Sequence, residues 1–272
     1  MRAIPDRPLQ AAGLCLLVMA LASPALADDD LRPLCPTRPG LATPPCIVDS
    51  GHVVAELGLA DWTFDRQGGD RTDTLTTGDL LLRYGLGGRD EVQLGLVSFG
   101  TVRMRNASGV SHASGAGDLT LAYKHSLGHP DGNGFSVAVQ TFVTLPTGGS
   151  AIGAGDWGGG LLIPMSVPLS DKVALELTPE IDASVNASGK GRHMALSAVE
   201  GLSFALSSKV STSVEVEEVH DEDPSGAQDH ALAGLSMAWQ PSSNWQVDMG
   251  TVAGLGLNNP DLEVYFGISR RF

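Results

Sequence analysis

The sequence predicts an all-β fold, namely a transmembrane up-and-down antiparallel β-barrel of the outer-membrane type with about 12 strands. Three observations lead to this prediction. Segments with an apolar residue at every second position recur between residues 51 and 272, and their connections alternate between tight turns and longer polar loops. The last segment ends on an aromatic carboxyl terminus, Phe272, as barrel-closing strands do. Short turns at one end and long loops at the other are typical of such barrels.

Residues 1–27 have the features of a secretory signal peptide rather than of a folded element. Arg2 and Arg7 give a positive start, residues 9–22 form a short apolar core, and Ala25-Leu26-Ala27 is a small-x-small cleavage site. The apolar core is too short to span a membrane comfortably. We therefore expect export through a cleaved signal peptide and a location in the bacterial outer membrane.

Residues 28–50 differ in composition from the rest of the chain. They contain five prolines, which remove backbone donors and interrupt regular structure. Cys35 and Cys46 form a pair in an exported chain, which favours a single disulfide closing a short loop. We expect residues 28–50 to be an extended periplasmic leader, and residues 51–272 to be the barrel.

The strands follow from the alternation, because successive side chains in a strand point to opposite faces. In chain order, the predicted strands cover residues 52–64, 75–86, 91–104, 118–124, 135–143, 157–165, 173–185, 194–206, 210–217, 231–239, 245–255 and 262–272. A long Gly/Ser loop is predicted over residues 105–116. The even number of strands and the short turns place both termini on the periplasmic side.

Aromatic residues are expected at the two membrane interfaces of a barrel. At the predicted periplasmic ends, the aromatic residues in the outward, apolar phase are Tyr84, Tyr123, Phe135, Trp239, Trp245 and Phe272. At the other end Trp157 is in phase, whereas Trp62 and Phe99 fall in the polar phase. The external girdle is therefore predicted to be the thinner one.

If the apolar phase faces lipid, the polar phase faces the interior. The candidate lumen-lining side chains are Glu56, Asp79, Arg83, Gln93, Asp118, Lys124, Gln140, Glu176, Glu180, Asp182, Glu215, Glu217, Gln246, Asp248 and Glu263. Acidic groups outnumber basic ones, which favours cations or neutral polar solutes. Paired polar side chains or residues 28–50 could equally fill an interior of this size. An open lumen and a plugged lumen are both compatible with the sequence.

Several motifs resemble those of a known family. They are Cys35-Pro36-Thr37-Arg38-Pro39-Gly40 with Cys46, Leu145-Pro146-Thr147-Gly148, Gly153-Ala154-Gly155-Asp156, and the closing Ser269-Arg270-Arg271-Phe272. Over nearly all of the mature chain, the sequence resembles Gram-negative outer-membrane proteins of the MetA-pathway of phenol degradation family. The resemblance implies a transporter-like barrel, with hydrophobic or aromatic compounds as one class of solute, and no catalytic residues.

Other functions find less support. His112 near Ser114 and His125 beside Ser126 are weak motifs for a nucleophile and its base, and neither has a third partner. We expect no enzyme activity, no metal site and no cofactor. A net charge of −14, from 17 Lys and Arg against 31 Asp and Glu, lacks the electrostatic footprint of a nucleic-acid partner. The acidic run at residues 220–223 is expected to be a solvated loop, or else a divalent-ion bridge to lipopolysaccharide phosphates.

Together these observations predict an outer-membrane channel or transporter for the passive uptake of small molecules, with gating as a further hypothesis. The alternatives are a non-conducting structural or surface-interaction barrel and, more remotely, a barrel hydrolase. The expected partners are outer-membrane lipid, lipopolysaccharide, the barrel assembly machinery, and a small solute that the sequence does not identify.

Overall fold

The computed structural model describes residues 31–256 and 259–272, so the predicted signal peptide lies outside the described residues. The strands are β1 Val53–Gln67, β2 Asp70–Gly87, β3 Asp90–Asn106, β4 Gly109–Gly115, β5 Leu119–Gly128, β6 Ser136–Leu145, β7 Gly158–Leu162, β8 Met165–Ser170, β9 Val173–Val185, β10 Arg192–Ala205, β11 Val210–Asp221, β12 Gln228–Ser242, β13 Trp245–Gly254 and β14 Leu262–Arg271. Among the described residues, no helix is long and apolar enough to cross a membrane.

The strands form one closed antiparallel ring. β1 pairs with β14 and β9 pairs with β10, so no edge strand is left in the ring. β7 and β8 share a single position between β6 and β9, because Pro164 lacks the backbone donor that a continuous strand would need. β4 lies outside the ring and pairs with β3. The fourteen strands therefore build a barrel of twelve, which confirms the predicted fold class.

The two faces of the wall have opposite chemistry. Large apolar side chains such as Leu235, which is 52% exposed, cover the outside. Charged side chains such as Glu56 and Lys124 are completely buried on the inside. This distribution suits a barrel surrounded by lipid and is the reverse of that in a water-soluble domain.

Irregularities in β1 and β2 reverse the alternation near one end of the barrel. The register between β1 and β14 shifts by one residue after Gly58, and Gly78 in β2 has a φ of 67°, which favours glycine. An extra residue moves all following side chains to the other face. Trp62 therefore pairs with the outward-facing Val264, and Phe99 is 48% exposed. The prediction that these two aromatic residues are out of phase is wrong.

The Gly/Ser segment at residues 105–116 is not a loop, contrary to the sequence prediction. β4 folds back on β3 through a tight turn in which the amide of Ser108 donates to Asn106 Oδ1 at 2.9 Å. The β1–β2 hairpin also extends on this side and turns at Gly68 and Gly69. The two hairpins are joined along β2 and β3, so they form a sheet that continues the wall past the ring.

Candidate functional site

The leader, defined here as its described part at residues 31–50, lies inside the barrel at the end where the tight turns are found. Most of its residues are buried or half-buried, and only Pro33 and Ser50 are exposed. The amide of Ile47 donates to the carbonyl of Pro130 at 2.9 Å, and Cys35 and Cys46 are joined by a disulfide. The sequence predicts a periplasmic leader and leaves open whether it fills the lumen, whereas in the structure residues 31–50 lie inside the barrel.

Two wall carboxylates each hold two consecutive backbone amides of the leader. Glu56 on β1 accepts hydrogen bonds from Thr37-Arg38 at 2.9 and 3.0 Å. Glu215 on β11 accepts from Leu41-Ala42 at 3.0 and 3.1 Å. Both glutamates were predicted to line the lumen. In the structure their carboxylates satisfy amides that the irregular leader cannot pair within itself.

The Arg38 side chain lies in a notch of the barrel wall. The side-chain Nε is 3.2 Å from Asp248 Oδ1, and the backbone carbonyl of Arg38 accepts a hydrogen bond from Gln246 Nε2 at 2.6 Å. Gly58 and Gly267 are cross-strand partners beside this guanidinium. A Cβ atom on Gly267 would overlap the guanidinium, so this glycine leaves the space that the Arg38 side chain occupies.

Four charged side chains form a buried charge cluster under the leader. Arg83, Lys124, Glu56 and Glu91 are each 0% exposed. Arg83 Nε lies 2.9 Å from Glu91, Arg83 Nη1 lies 3.2 Å from Glu56, and Lys124 Nζ lies 3.8 Å from Glu91. The formal charges of the two positive and two negative groups sum to zero. Burial of such groups is tolerated because every charge has an opposite partner.

The same cluster binds the leader backbone. Arg83 donates to the carbonyl of Cys35 at 2.7 Å and to that of Cys46 at 3.2 Å, so it links the two ends of the disulfide loop. Lys124 donates to the carbonyl of Pro44 at 3.0 Å. Glu91 accepts from the amide of Val48 at 2.8 Å. The cluster thus holds the leader as well as the wall.

A second segment, residues 146–157, enters the lumen from the opposite end. Asp118 holds it by accepting hydrogen bonds from the amides of Gly148 and Ala154, both at 2.7 Å. Ile152 covers the inner face of β3 where Gly100 leaves room for it, since a Cβ at that position would meet Ile152 at 2.5 Å. Asp118 is therefore a support for this inward loop.

The leader leaves space on both of its sides. One cavity of about 270 Å³ lies between the leader and a wall that includes Glu176, Ser213 and Gln240. The other, of about 240 Å³, has acidic residues in its wall, among them Asp61, Asp79 and Glu263. The lumen is narrowed by the leader and not filled by it.

Comparison with known proteins agrees with this architecture. The family profile described as "Putative MetA-pathway of phenol degradation" matches residues 37–272. The chain belongs to this family. A search of curated proteins gives no match. This phenol-degradation-family barrel can therefore be compared in more detail only with solved structures.

Three solved structures illustrate the likeness of the family barrel to outer-membrane proteins. The COG4313 outer membrane channel from Pseudomonas putida F1 has a TM-score of 0.66 at 15% identity, over 91% of this chain and 100% of that one. The NanC porin has a TM-score of 0.51 at 7% identity, over 80% and 98%. The beta domain of the Bordetella autotransporter BrkA has a TM-score of 0.52 at 13% identity, over 82% and 100%. At these identities the likeness shows the fold alone.

The other predicted lumen residues of this family barrel lie on the same wall. Glu176 accepts hydrogen bonds from Ser166 at 3.0 Å and Ser203 at 3.2 Å. Gln93 donates to Glu91 at 2.6 Å and to Gln140 at 3.2 Å. The predicted residues that form no hydrogen bond with the leader in the described chain include Asp79, Glu180, Asp182 and Glu217. Asp79 lies 4.0 Å from Arg38.

Sequence reasoning missed at least five residues that hold the leader, among them Gln240, which donates to the carbonyl of Leu34 at 3.1 Å, and Arg271, which donates to that of Arg32 at 2.7 Å. Glu91 directly follows a tight turn, so its position at the start of a strand hides that it shares the phase of Gln93. Tyr265 accepts a hydrogen bond from the amide of Gly40 at 3.1 Å, and Thr178 accepts from that of Thr43 at 3.1 Å. Tyr265 and Thr178 are in the polar phase of their strands, and that phase is the signal that could have found the missed residues.

The motifs outside the lumen have other roles in the structure. His125 Nδ1 lies 2.7 Å from Asp90 on the outer face, while Ser126 is buried on the inner face, so this pair does not meet. Asp223 of the acidic run accepts a hydrogen bond from the Ala187 amide at 2.7 Å. Hydrogen bonds from the Ser225 side chain and this amide lower the pKa of Asp223 to about 2. Within the described chain, no His, Cys, Asp and Glu side chains are grouped to hold a metal ion.

Proposed function

We propose that this chain is an outer-membrane channel for the passive passage of small molecules, and that the leader is its gate. The observation that carries the proposal is the position of the leader, which lies in the lumen between two cavities and is held by wall side chains. Export through a signal peptide at residues 1–27, insertion by the barrel assembly machinery and contact with lipopolysaccharide belong to the same proposal.

The way in which the leader is held favours a gate over a permanent plug. Its buried apolar cluster is small and comprises Leu34 and Val48 of the leader with Val54 of the wall. Most other contacts are hydrogen bonds to wall side chains. Each contributes only about 0.5–1.5 kcal/mol net, or 1.5–3 with a charged partner, because both groups form hydrogen bonds with water once they separate. Breaking a few such bonds would release part of the leader without unfolding the barrel.

The composition of the wall suggests the class of solute. Asp61, Asp79 and Glu263 line the 240 Å³ cavity, so small cations or neutral polar molecules would be favoured over anions. Aromatic compounds are a second candidate class, which rests on the family description alone. We propose no enzyme activity.

A plugged, non-conducting barrel is the second candidate function. The buried charge cluster favours it, because Arg83 alone contacts the carbonyls of both Cys35 and Cys46. In that case the leader would stabilise the barrel and never leave the lumen. Conductance distinguishes the two functions.

The experiment compares Glu215→Gln with Glu217→Gln in planar bilayers. Both residues lie on the inner face of β11, two positions apart, and each substitution removes one negative charge. Of these two residues, Glu215 is the one that hydrogen-bonds the leader in the described chain, through the amides of Leu41 and Ala42. Weakening two charge-assisted bonds, each worth about 1.5–3 kcal/mol, should raise the open fraction about tenfold or more in Glu215→Gln.

The control Glu217→Gln should keep the open fraction of the wild type and shift only its ion preference. Equal open fractions in both variants and the wild type would refute the gate. All three proteins must first show the heat-dependent gel mobility of a folded barrel. If none of the three folded proteins conducts, the plugged barrel is favoured.

A further inference from the structure

Four arginines lie together on one face of the hairpin sheet that extends the wall. The face consists of Arg66, Arg71, Arg103 and Arg105, and we call it the arginine face. Arg66 pairs directly with Arg71 across β1 and β2, and Arg71 pairs directly with Arg105 across β2 and β3. Directly paired residues in a sheet point to the same side. Three guanidinium groups therefore stand in one row across three strands, with Arg103 in the next row.

This face is continuous with the lipid-facing side of the barrel. Phe64 and Trp62 precede Arg66 at alternate positions of β1 and stack on each other with ring centres 5.9 Å apart. Trp62 pairs with the outward-facing Val264. The guanidinium groups of Arg66 and Arg71 lie 4.9 and 4.7 Å from the Phe64 ring. Aromatic residues of this kind mark the level of the lipid headgroups, so the arginines lie just outside the hydrocarbon region.

The charge of the arginine face is unbalanced. Asp73 is the acidic residue on it, and it already lies 2.6 Å from Arg71 and 3.7 Å from Arg103. In the part of the chain that the structure describes, Arg66 and Arg105 form no salt bridge. Like charges placed directly opposite each other across strands are destabilising. Concentrating four of the 17 basic residues here, in a chain of net charge −14, needs an anionic partner.

We propose that the arginine face binds the phosphate groups of lipid A, the glycolipid anchor of lipopolysaccharide in the outer leaflet. The inference rests on the proposed outer-membrane location. Guanidinium groups bind phosphate with two parallel hydrogen bonds, and a row of three can hold a headgroup that carries two phosphates. Trp62 and Phe64 lie below the row, where the acyl chains begin. This site is distinct from the acidic run at residues 220–223.

The test measures lipid A binding to the refolded full mature chain in neutral detergent by native mass spectrometry. The variant is the double substitution Arg66→Gln with Arg105→Gln, which removes the two arginines without a salt bridge. The matched control is Arg270→Gln with Lys172→Gln, which also removes two charges. Arg270 contacts the rings of Trp245 and Phe272 at the opposite end of the barrel. It is therefore also an arginine stacked on aromatic rings, but it lies in the leaflet that does not contain lipid A.

The wild type and the control should retain bis-phosphorylated lipid A equally, and the Arg66/Arg105 variant should bind it about tenfold or more weakly. Mono-phosphorylated lipid A should bind the wild type more weakly than the bis-phosphorylated form does. The proposal would be overturned if the variant and the control lost lipid A binding to the same extent. It would also be overturned if the wild type bound phosphatidylglycerol as well as it binds lipid A. The Arg66/Arg105 variant should conduct as the wild type does, so a failure of the gate and a failure of this site give different results.

Discussion

Replacing Arg83 by methionine should destabilise the barrel more than any other single loss of an arginine on its wall. Arg83 contacts Glu91 at 2.9 and 3.0 Å, Glu56 at 3.2 Å, and two leader carbonyls. The substitution leaves two buried carboxylates with only Lys124 as a positive partner, at 3.8 Å from Glu91. Breaking a buried ion pair from one side costs about 3–5 kcal/mol.

A urea titration of the refolded protein in detergent, with the folded fraction read from heat-dependent mobility on gels, measures this cost. With a slope of about 3 kcal/mol/M, the midpoint should fall by about 1 M or more. The control is Arg270→Met, at a half-buried outward position over Trp245, where the expected change is much smaller. Adding Glu91→Gln to Arg83→Met restores a neutral cluster and should recover part of the loss. A midpoint for Arg83→Met equal to that of Arg270→Met would refute the argument.

Three further predictions concern the outer face, a loop and the notch. Leu235→Arg places a charge on the lipid face at the middle of β12 and should cost about 2–4 kcal/mol of barrel stability in the same titration, against little for Leu235→Ala. The Asp223 pKa of about 2 lies below its ordinary value of 3.8, so its stabilising effect is complete above about pH 4 and is lost as pH falls towards 2. Slow hydrogen exchange of the Ala187 amide should therefore persist at pH 4 and disappear in Asp223→Ala, which removes the acceptor. Gly267→Val should displace the Arg38 guanidinium and raise conductance, and unchanged conductance would show that the leader does not depend on the notch.

Most of the wall could be predicted from the sequence, because a lipid-facing barrel forces a strict apolar and polar alternation. The strands around Val214 and Leu235 follow it without interruption. Trp62 is misplaced by the pattern because one extra residue in β1 changes the face of every residue after it, and a bulge leaves little trace in an alternating pattern. The β4 strand was missed because its Gly and Ser residues give no such pattern.

The position of the leader could not be predicted from its own residues. The leader has no periodicity, and most of its contacts run through backbone amides and carbonyls, which every sequence carries. The information lies in the wall, where polar-phase residues such as Glu56 and Glu215 are matched to those amides. Spacing along the chain does not show that two carboxylates on distant strands face the same short segment.

We propose that residues 31–50 control passage through the lumen. The decisive measurement is the single-channel conductance of the wild type and of a chain that lacks these residues, in the same planar bilayer. Both proteins must first show the heat-dependent mobility of a folded barrel. We predict brief and infrequent openings for the wild type, and a steady, cation-preferring conductance once the leader is removed. Equal conductance in the two proteins, whether steady or absent, would contradict the claim.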